Sequence, residues 1–535
     1  MLGEFRALDV VILVGYFGIQ LAMGPYFARR QKSTESYFVG NRSYPAWLLG
    51  ISMFGTSISS ITFVALPADS YKRAWLLFLI YPTLPIAMLI ASKWVLPFFR
   101  RTHTTSAFEY LEGRFGPGTR VYAALMFNVS QCIRLSLVLY LVSALIHALT
   151  GWNTTACIVV GGSVTAFYTV LGGIEAVIWT DFVQSIVLSL GGLLILATVV
   201  WNLPEGFSTL FSVAAEHNKF VLGVTDTVTN QPVASPIAPR SLHEIFSTKT
   251  VLMVLVYGFF NWMTEYSGNQ NVVQKWCTAE SANAARRAMW INCLCSLPTW
   301  TYFYFLGTAL FVFYQVYPDP EAAKMLTGER KAEDILPYFV SMHMYQGVSG
   351  LVIAGVLAAA MSTLSSSINA ISAVTVTDIY KRHLAPEKSE GHYIFAAKSL
   401  SFVSSIIMIL GAYWLSVSET NTLQDSATIL NSISAGGLLG LFMLGFLTMR
   451  GDGRAVFIGI VFTVLFSGFM SLHALGRLPE AWSLAIKSNF DTYYTTIIGN
   501  CVMFTTGYLI GMLLPTRRNL ANLTIWTQDE EMRAL

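Results

Sequence analysis

Gly55-Thr-Ser-Ile-Ser-Ser-Ile-Thr62 decides how this sequence folds: five hydroxyl residues beside a glycine, set in an otherwise apolar run. Hydrocarbon offers a hydroxyl no partner, so the run cannot simply face lipid. Two readings compete. Small and hydroxyl residues let helices pack closely. A broken helix would instead use its freed carbonyls and hydroxyls to line a polar site at mid-membrane.

The surroundings place the run in a bilayer. Of the 535 residues 54% are hydrophobic and only 12% charged, against roughly a quarter charged in an average soluble domain. Segments long enough to span, about 20 mainly apolar residues, fall at 8–28, 46–66, 75–99, 119–150, 153–171, 176–202, 248–274, 289–316, 347–378, 395–418, 425–449, 453–474 and 488–515. The chain therefore reads as one all-α polytopic membrane domain with about 13 transmembrane helices. The first segment lacks an A-x-A cleavage site and reads as a retained helix. With the N-terminus outside, the inner loops and adjoining helix ends (Lys275 counted among them) hold 20 Lys and Arg and the outer ones 11. That bias orients the C-terminus and the 516–535 tail to the cytoplasm. Two long loops, about 203–247 and 317–346, fall outside and have room for short helices. Compact loops point to a bacterial inner membrane.

Composition also excludes function classes. The net charge of +3 is small and dispersed, which gives nucleic acid nothing to hold. Cys293 and Cys295 lack a second ligand pair, and the eight histidines form no H-E-x-x-H, so no metal centre or organic cofactor is expected. No nucleophile or base constellation suggests an enzyme. A sensor would append a signalling domain, for which the segment after Pro515 is too short. No obligate protein partner is expected.

A second hydroxyl cluster bears on the first: Ala358-Ala-Ala-Met-Ser362-Thr363-Leu-Ser365-Ser366-Ser367-Ile-Asn369. Ser362 shares a helical face with Ser365 and Ser366. Hard cations take shells made only of oxygen, and such a face supplies part of one. Asp181, near the start of the sixth segment, would add a full charge. Its other reading is a carboxylate favoured by a helix N-terminus. Arg134 lies within the fourth segment, where an ionised group needs an anionic or carbonyl-rich partner and its planar fork suits a carboxylate. A structural ion pair would equally account for it.

At this point the chain resembles a known family. Gly172-Gly-Ile-Glu-Ala-Val-Ile-Trp-Thr-Asp181-Phe-Val-Gln184 is similar to the signature of the sodium/solute symporters, which include sodium–glucose and sodium–sialic acid transporters. Gly268-Asn-Gln-Asn-Val-Val-Gln-Lys-Trp-Cys-Thr-Ala-Glu-Ser281 resembles the segment after their second broken helix, and Ala359 to Tyr380 resembles their ion-binding helix. The resemblance spans roughly residues 8–515. It implies a LeuT-like five-plus-five inverted repeat: 46–202 and 248–449 as the repeats, 8–28 as an extra N-terminal helix, and two extra C-terminal helices over 453–515.

The resemblance also implies sites. The shared sodium site falls on the Gly55, Ile58 and Ala359 carbonyls and the Ser362 and Thr363 hydroxyls. A second sodium site, as in sialic acid transporters, falls on Asp181, Ser362, Ser365 and Ser366. The solute site takes Ser57, Ser59, Thr62, Tyr81, Arg134 and Glu265, with Tyr266 as a gate. Sialic acid transporters resemble this chain in the arginine and in the hydroxyls at Ser59 and Thr62. The match departs at Tyr81, where members that bind sugars or sialic acid place Glu or Gln, and at Glu265, where sugar transporters place the gate tyrosine. Glu265 paired with Arg134 would neutralise the arginine and favour a neutral sugar; an unpaired Arg134 favours a carboxylated one. The expectation is a sodium-coupled symporter importing a small organic solute, sialic acid foremost, with two Na+ per solute. A one-sodium sugar symporter and an ion-independent exchanger of the same fold are the alternatives.

Overall fold

Among the described residues, apolar segments are interrupted at a few glycines and polar residues, while the hydroxyl cluster at 362–369 stays within one continuous helix. The computed structural model describes residues 7–100, 104–225, 232–241, 244–417, 437–474, 477–489, 491, 493–514 and 519–529. The main helices are α1 (Ala7–Ala28), α2 (Ala46–Ser57), α3 (Ser60–Lys72), α4 (Leu77–Arg100), α5 (Pro117–Thr150), α6 (Thr154–Asn202), α7 (Val251–Gly268), α8 (Gln270–Thr278) and α9 (Ala282–Val316). They continue with α10 (Val348–Leu384), α11 (Glu390–Val417), α12 (Leu438–Leu447), α13 (Gly453–Ala474) and α14 (Tyr494–Leu513). Among the described residues, 8 helices are long and apolar enough to cross a bilayer, or 9 with the bent pair α2–α3 counted as one. The eleventh sequence segment, 425–449, falls partly outside the described residues; α12 occupies its end.

Three breaks shape the bundle. Between α2 and α3 the axis turns by 56°, because Ile58 (φ −95°, ψ 104°) and Ser59 (φ −100°, ψ 174°) leave the helical region. A second break falls at Asn269 (φ −75°, ψ 116°), which ends α7 and caps α8 by accepting from the Asn271 N–H at 3.0 Å. The hydropathy segment ran 248–274 unbroken; the resemblance implied a broken helix ahead of Gly268, but not this cap, which an asparagine can supply at such a stop. The third break lies inside α6, where the sequence reading places two helices. Gly173 has φ 57° there, and a Cβ at that position would sit 2.7 Å from the Tyr37 carbonyl oxygen. Only glycine suits both constraints.

The signature over 172–184 is thus half architecture. Next to the kink, Gln31 donates to the Gly172 carbonyl at 3.1 Å and Arg30 meets Glu175 at 3.2 Å, pinning α6 to the end of α1. Further on, Gln184 donates to Gln20 at 3.2 Å.

α10 lies at the centre, packed on α6, α1 and α5, and every residue from Val352 to Val374 is buried. The two long loops carry short helices, as expected, at Phe207–Glu216, Pro320–Thr327 and Ile335–His343. They also carry an unforeseen hairpin pairing Gly223–Thr225 with Pro232–Ala234. The described part of the tail is not merely solvated. Trp526 donates to the Leu447 carbonyl at 2.7 Å, and the Leu523 carbonyl accepts from Tyr110 at the same distance.

Candidate functional site

Breaking a helix frees carbonyls that would otherwise be bonded four residues on. At the end of α2 the Gly55 and Thr56 carbonyls are such groups, and α10 answers them with hydroxyls. Ser362 Oγ donates toward the Gly55 oxygen at 2.8 Å and the Ala359 oxygen at 3.1 Å. Thr363 Oγ1 reaches the Thr56 and Ala359 oxygens, both at 3.3 Å. Ile58, Ala359, Ser362 and Thr363 are each at most 1% exposed. The two segments read separately from sequence therefore meet, and their oxygens lie within one hydroxyl's reach of each other. Gly55 also lets α2 lie close on α6: a Cβ there would stand 2.6 Å from Ser185 Oγ and 3.1 Å from the Asp181 carbonyl oxygen.

Behind this cluster lies Asp181. It is 0% exposed and sits in the third turn after the Gly173 kink, which removes the helix-N-terminus reading of its charge. Its Oδ2 accepts from Ser52 Oγ (2.7 Å), Thr56 Oγ1 (3.3 Å) and Ser366 Oγ (3.5 Å). It also meets Lys275 Nζ at 2.8 Å. Its Oδ1 is buried with no hydrogen-bond partner among the described residues. Ser365 Oγ turns instead to the Ser362 carbonyl at 3.2 Å. Lys275 corrects the sequence reading, which counted it among inner loops and helix ends. Its side chain is 2% exposed and lies inside the bundle on α8. Ser52 and Thr56 were likewise missed as partners of Asp181. Thr56 sits in the quoted hydroxyl run and Ser52 one turn before it, so the α2 face carried a signal; nothing in the sequence ties Lys275 to it.

Toward the chain's other polar residues opens a cavity of ≈460 Å³. Ser57, Ser59, Thr62, Tyr81, Arg134, Glu265 and Tyr266 all line it, together with Thr363 from the hydroxyl cluster and Lys275. Arg134 is half-buried and has no ion-pair or hydrogen-bond partner among the described residues. Glu265 does not neutralise it; Glu265 accepts from Asn269 Nδ2 at 2.8 Å. Tyr81 lies on Trp300, ring centroids 4.7 Å apart, and forms an aromatic wall where a carboxyl or amide would offer hydrogen bonds. Tyr266 is held by Asn292 at 2.8 Å and stacks on Trp276. Gln131 and Asn271 also line the cavity, each with a buried carbonyl oxygen that has no partner among the described residues. The sequence reading missed both, although Gln131 lies one turn from Arg134 on the same face.

Helices broken at mid-bundle around an oxygen-lined cavity, within a bilayer-spanning chain, define a secondary transporter of the inverted-repeat kind. The chain belongs to the sodium:solute symporter family, whose sequence profile matches residues 37–473. Sodium is its coupling ion. It is 33% identical over 466 residues to the sodium/sialic acid symporter SiaT of Proteus mirabilis, covering 87% of this chain and 89% of that one. It is 29% identical to the sodium/sialic acid symporter NanT of Aliivibrio fischeri, over 99% and 98% of the two chains. A solved substrate-bound, outward-open Na+-coupled sialic acid symporter superposes with a TM-score of 0.82 at 28% identity, covering 96% of this chain and 99% of that one. A nucleobase–cation symporter at 13% identity, TM-score 0.53, shares the LeuT-like fold alone.

Proposed function

We propose that the chain imports sialic acid by alternating access, with two sodium ions per solute and no chemical step. The observation that carries this reading is Arg134, an arginine without a counter-ion facing a cavity beside an oxygen cluster. A half-desolvated guanidinium wants a carboxylate, which it grips with two parallel bonds. Glu265, the group that would have made a neutral sugar attractive, is engaged by Asn269 instead. Ser57, Ser59, Thr62, Gln131 and Asn271 would meet the sugar's hydroxyl and amide groups. Tyr81 would stack on its apolar face, and Tyr266 would close the inner side. The similarity to two sialic acid symporters supports the same substrate class.

The first sodium would take the Gly55, Ile58 and Ala359 carbonyls with Ser362 and Thr363. The second would take Asp181, Ser362, Ser365 and Ser366, where the unpartnered Oδ1 offers an anionic ligand. The repeats span 46–202 and 248–449, with the N-terminus outside and the C-terminus in the cytoplasm of a bacterial cell. One charge crossing 100 mV is worth about 2.3 kcal/mol, and a tenfold sodium gradient adds about 1.4 kcal/mol per ion. A monoanionic solute gives back about 2.3 kcal/mol per 100 mV, so it gains most from a second ion. The test is uptake of radiolabelled sialic acid, glucose and pantothenate into proteoliposomes, with sodium or choline outside. Sodium-driven sialic acid accumulation is expected. Accumulation of glucose in preference, or equal uptake in choline, overturns the reading.

A further inference from the structure

Lys275 is given no role as a sodium or solute ligand above, yet its ammonium sits on the one fully buried carboxylate among those ligands. Its three donors are all spoken for: Asp181 Oδ2 at 2.8 Å, the Ser52 carbonyl at 2.9 Å and Thr56 Oγ1 at 2.5 Å. The same Thr56 hydroxyl lies 3.0 Å from Ser366 Oγ. The ammonium thus occupies the corner where the broken helix α2, the kinked α6 and the central α10 converge. It comes from α8, the second half of the other broken element, and its side chain also lines the solute cavity.

We infer that Lys275 is a tethered counter-cation for Asp181, one that a sodium ion at the second site must displace. This rests on the reading of Asp181, Ser362, Ser365 and Ser366 as that site. The physical reason is charge. Asp181 and Lys275 together are neutral, and a buried pair of this kind is tolerable only because each partner compensates the other. Adding Na+ at the free Oδ1 leaves one uncompensated positive charge within a few ångströms, in surroundings too dry to screen it. The lysine relieves this by withdrawing into the cavity that it lines, where the solute carboxylate receives it. Sodium at Asp181 and an anionic solute in the cavity then favour one another, and such a linkage is reciprocal. Without sodium, the ammonium holds α8 to α2 and α6 and keeps the acidic corner closed.

The experiment uses the full-length purified chain and compares the parent with K275M, D181N and the K275M/D181N double variant. Half-saturating sodium is read from thermal unfolding and from tryptophan emission, each with and without sialic acid. If the ammonium holds the corner nine times in ten, its removal lowers half-saturating sodium about tenfold. In K275M sodium should also lose most of its effect on sialic acid affinity. Unchanged half-saturating sodium in K275M, with D181N weakening sodium, overturns the inference and leaves the second site standing. No effect of D181N on sodium sinks the second site and this inference together. K275M strands a buried carboxylate and can fail to fold, so its recovery in sodium chloride is compared with choline chloride. Rescue by sodium alone supports displacement. Failure in both salts, while the uncharged double variant folds, overturns it.

Discussion

The two oxygen clusters lie side by side on α10, yet they are built on opposite principles. The cluster around Ser362 and Thr363 contains no formal charge. Its hydroxyls and carbonyls satisfy each other at 2.8–3.3 Å, and a sodium ion would simply exchange those weak bonds for coordination. The cluster around Asp181 is charged and already holds a cation of its own. Neutral oxygens give an ion a site that costs little to keep empty. A buried carboxylate cannot stay empty, because its desolvation must be compensated in every state of the cycle.

Breaking the neutral cluster should have the largest effect. Ser362→Ala removes the hydroxyl that bridges Gly55 and Ala359 and serves both proposed sodium sites. Thr363→Ala spares the second site. Both should abolish sodium-driven uptake while the protein still folds. Sodium activation in proteoliposomes that matches the parent in both variants would remove the shared site from the account.

Next in size is the cavity cation. Arg134→Lys keeps the charge but loses the fork. Sialic acid should bind roughly tenfold more weakly, a difference of about 1.4 kcal/mol. A neutral analogue in which the carboxylate is replaced by an alcohol should change little. Equal losses for the two ligands in a competition assay would assign Arg134 to structure.

The smallest effect sharpens the contrast between charge in the core and charge at the rim. Arg30 and Glu175 form an ion pair like Lys275 and Asp181, but Arg30 is 55% exposed. Glu175→Gln should cost less than about 1 kcal/mol and leave half-saturating sodium unchanged. A drop in sodium affinity on that substitution would mean that the Gly173 kink transmits to the ion site.

Much of the candidate site was readable because its chemistry is written in residue type. Hydroxyls crowded at 55–62 and 362–369 are out of place in hydrocarbon wherever they point, so their abundance alone signals a polar interior. Arg134 and Asp181 are legible for the same reason. Lys275 was not, since a lysine near the end of an apolar segment reads equally well as an anchor at the membrane surface. The resemblance implied a broken helix near Gly268, but the stop at Asn269 was not legible, because asparagine interrupts a helix only when the surrounding packing lets its side chain cap the next one. Tyr81 shows the limit from the other side: its departure from the family pattern was visible, but its stacking on Trp300 was not.

The sequence by itself determined that the chain lives in a bilayer, that hydroxyl clusters at 55–62 and 362–369 need a polar interior, and which residue types line the candidate site. Those follow from the cost of placing polar groups in hydrocarbon, a cost that does not depend on neighbours. Only the tertiary structure decided which charges face each other: that Asp181 meets Lys275 across 94 residues of chain, and that Glu265 leaves Arg134 unpaired. Electrostatic pairing falls off over a few ångströms, and sequence separation says nothing about distances of that order.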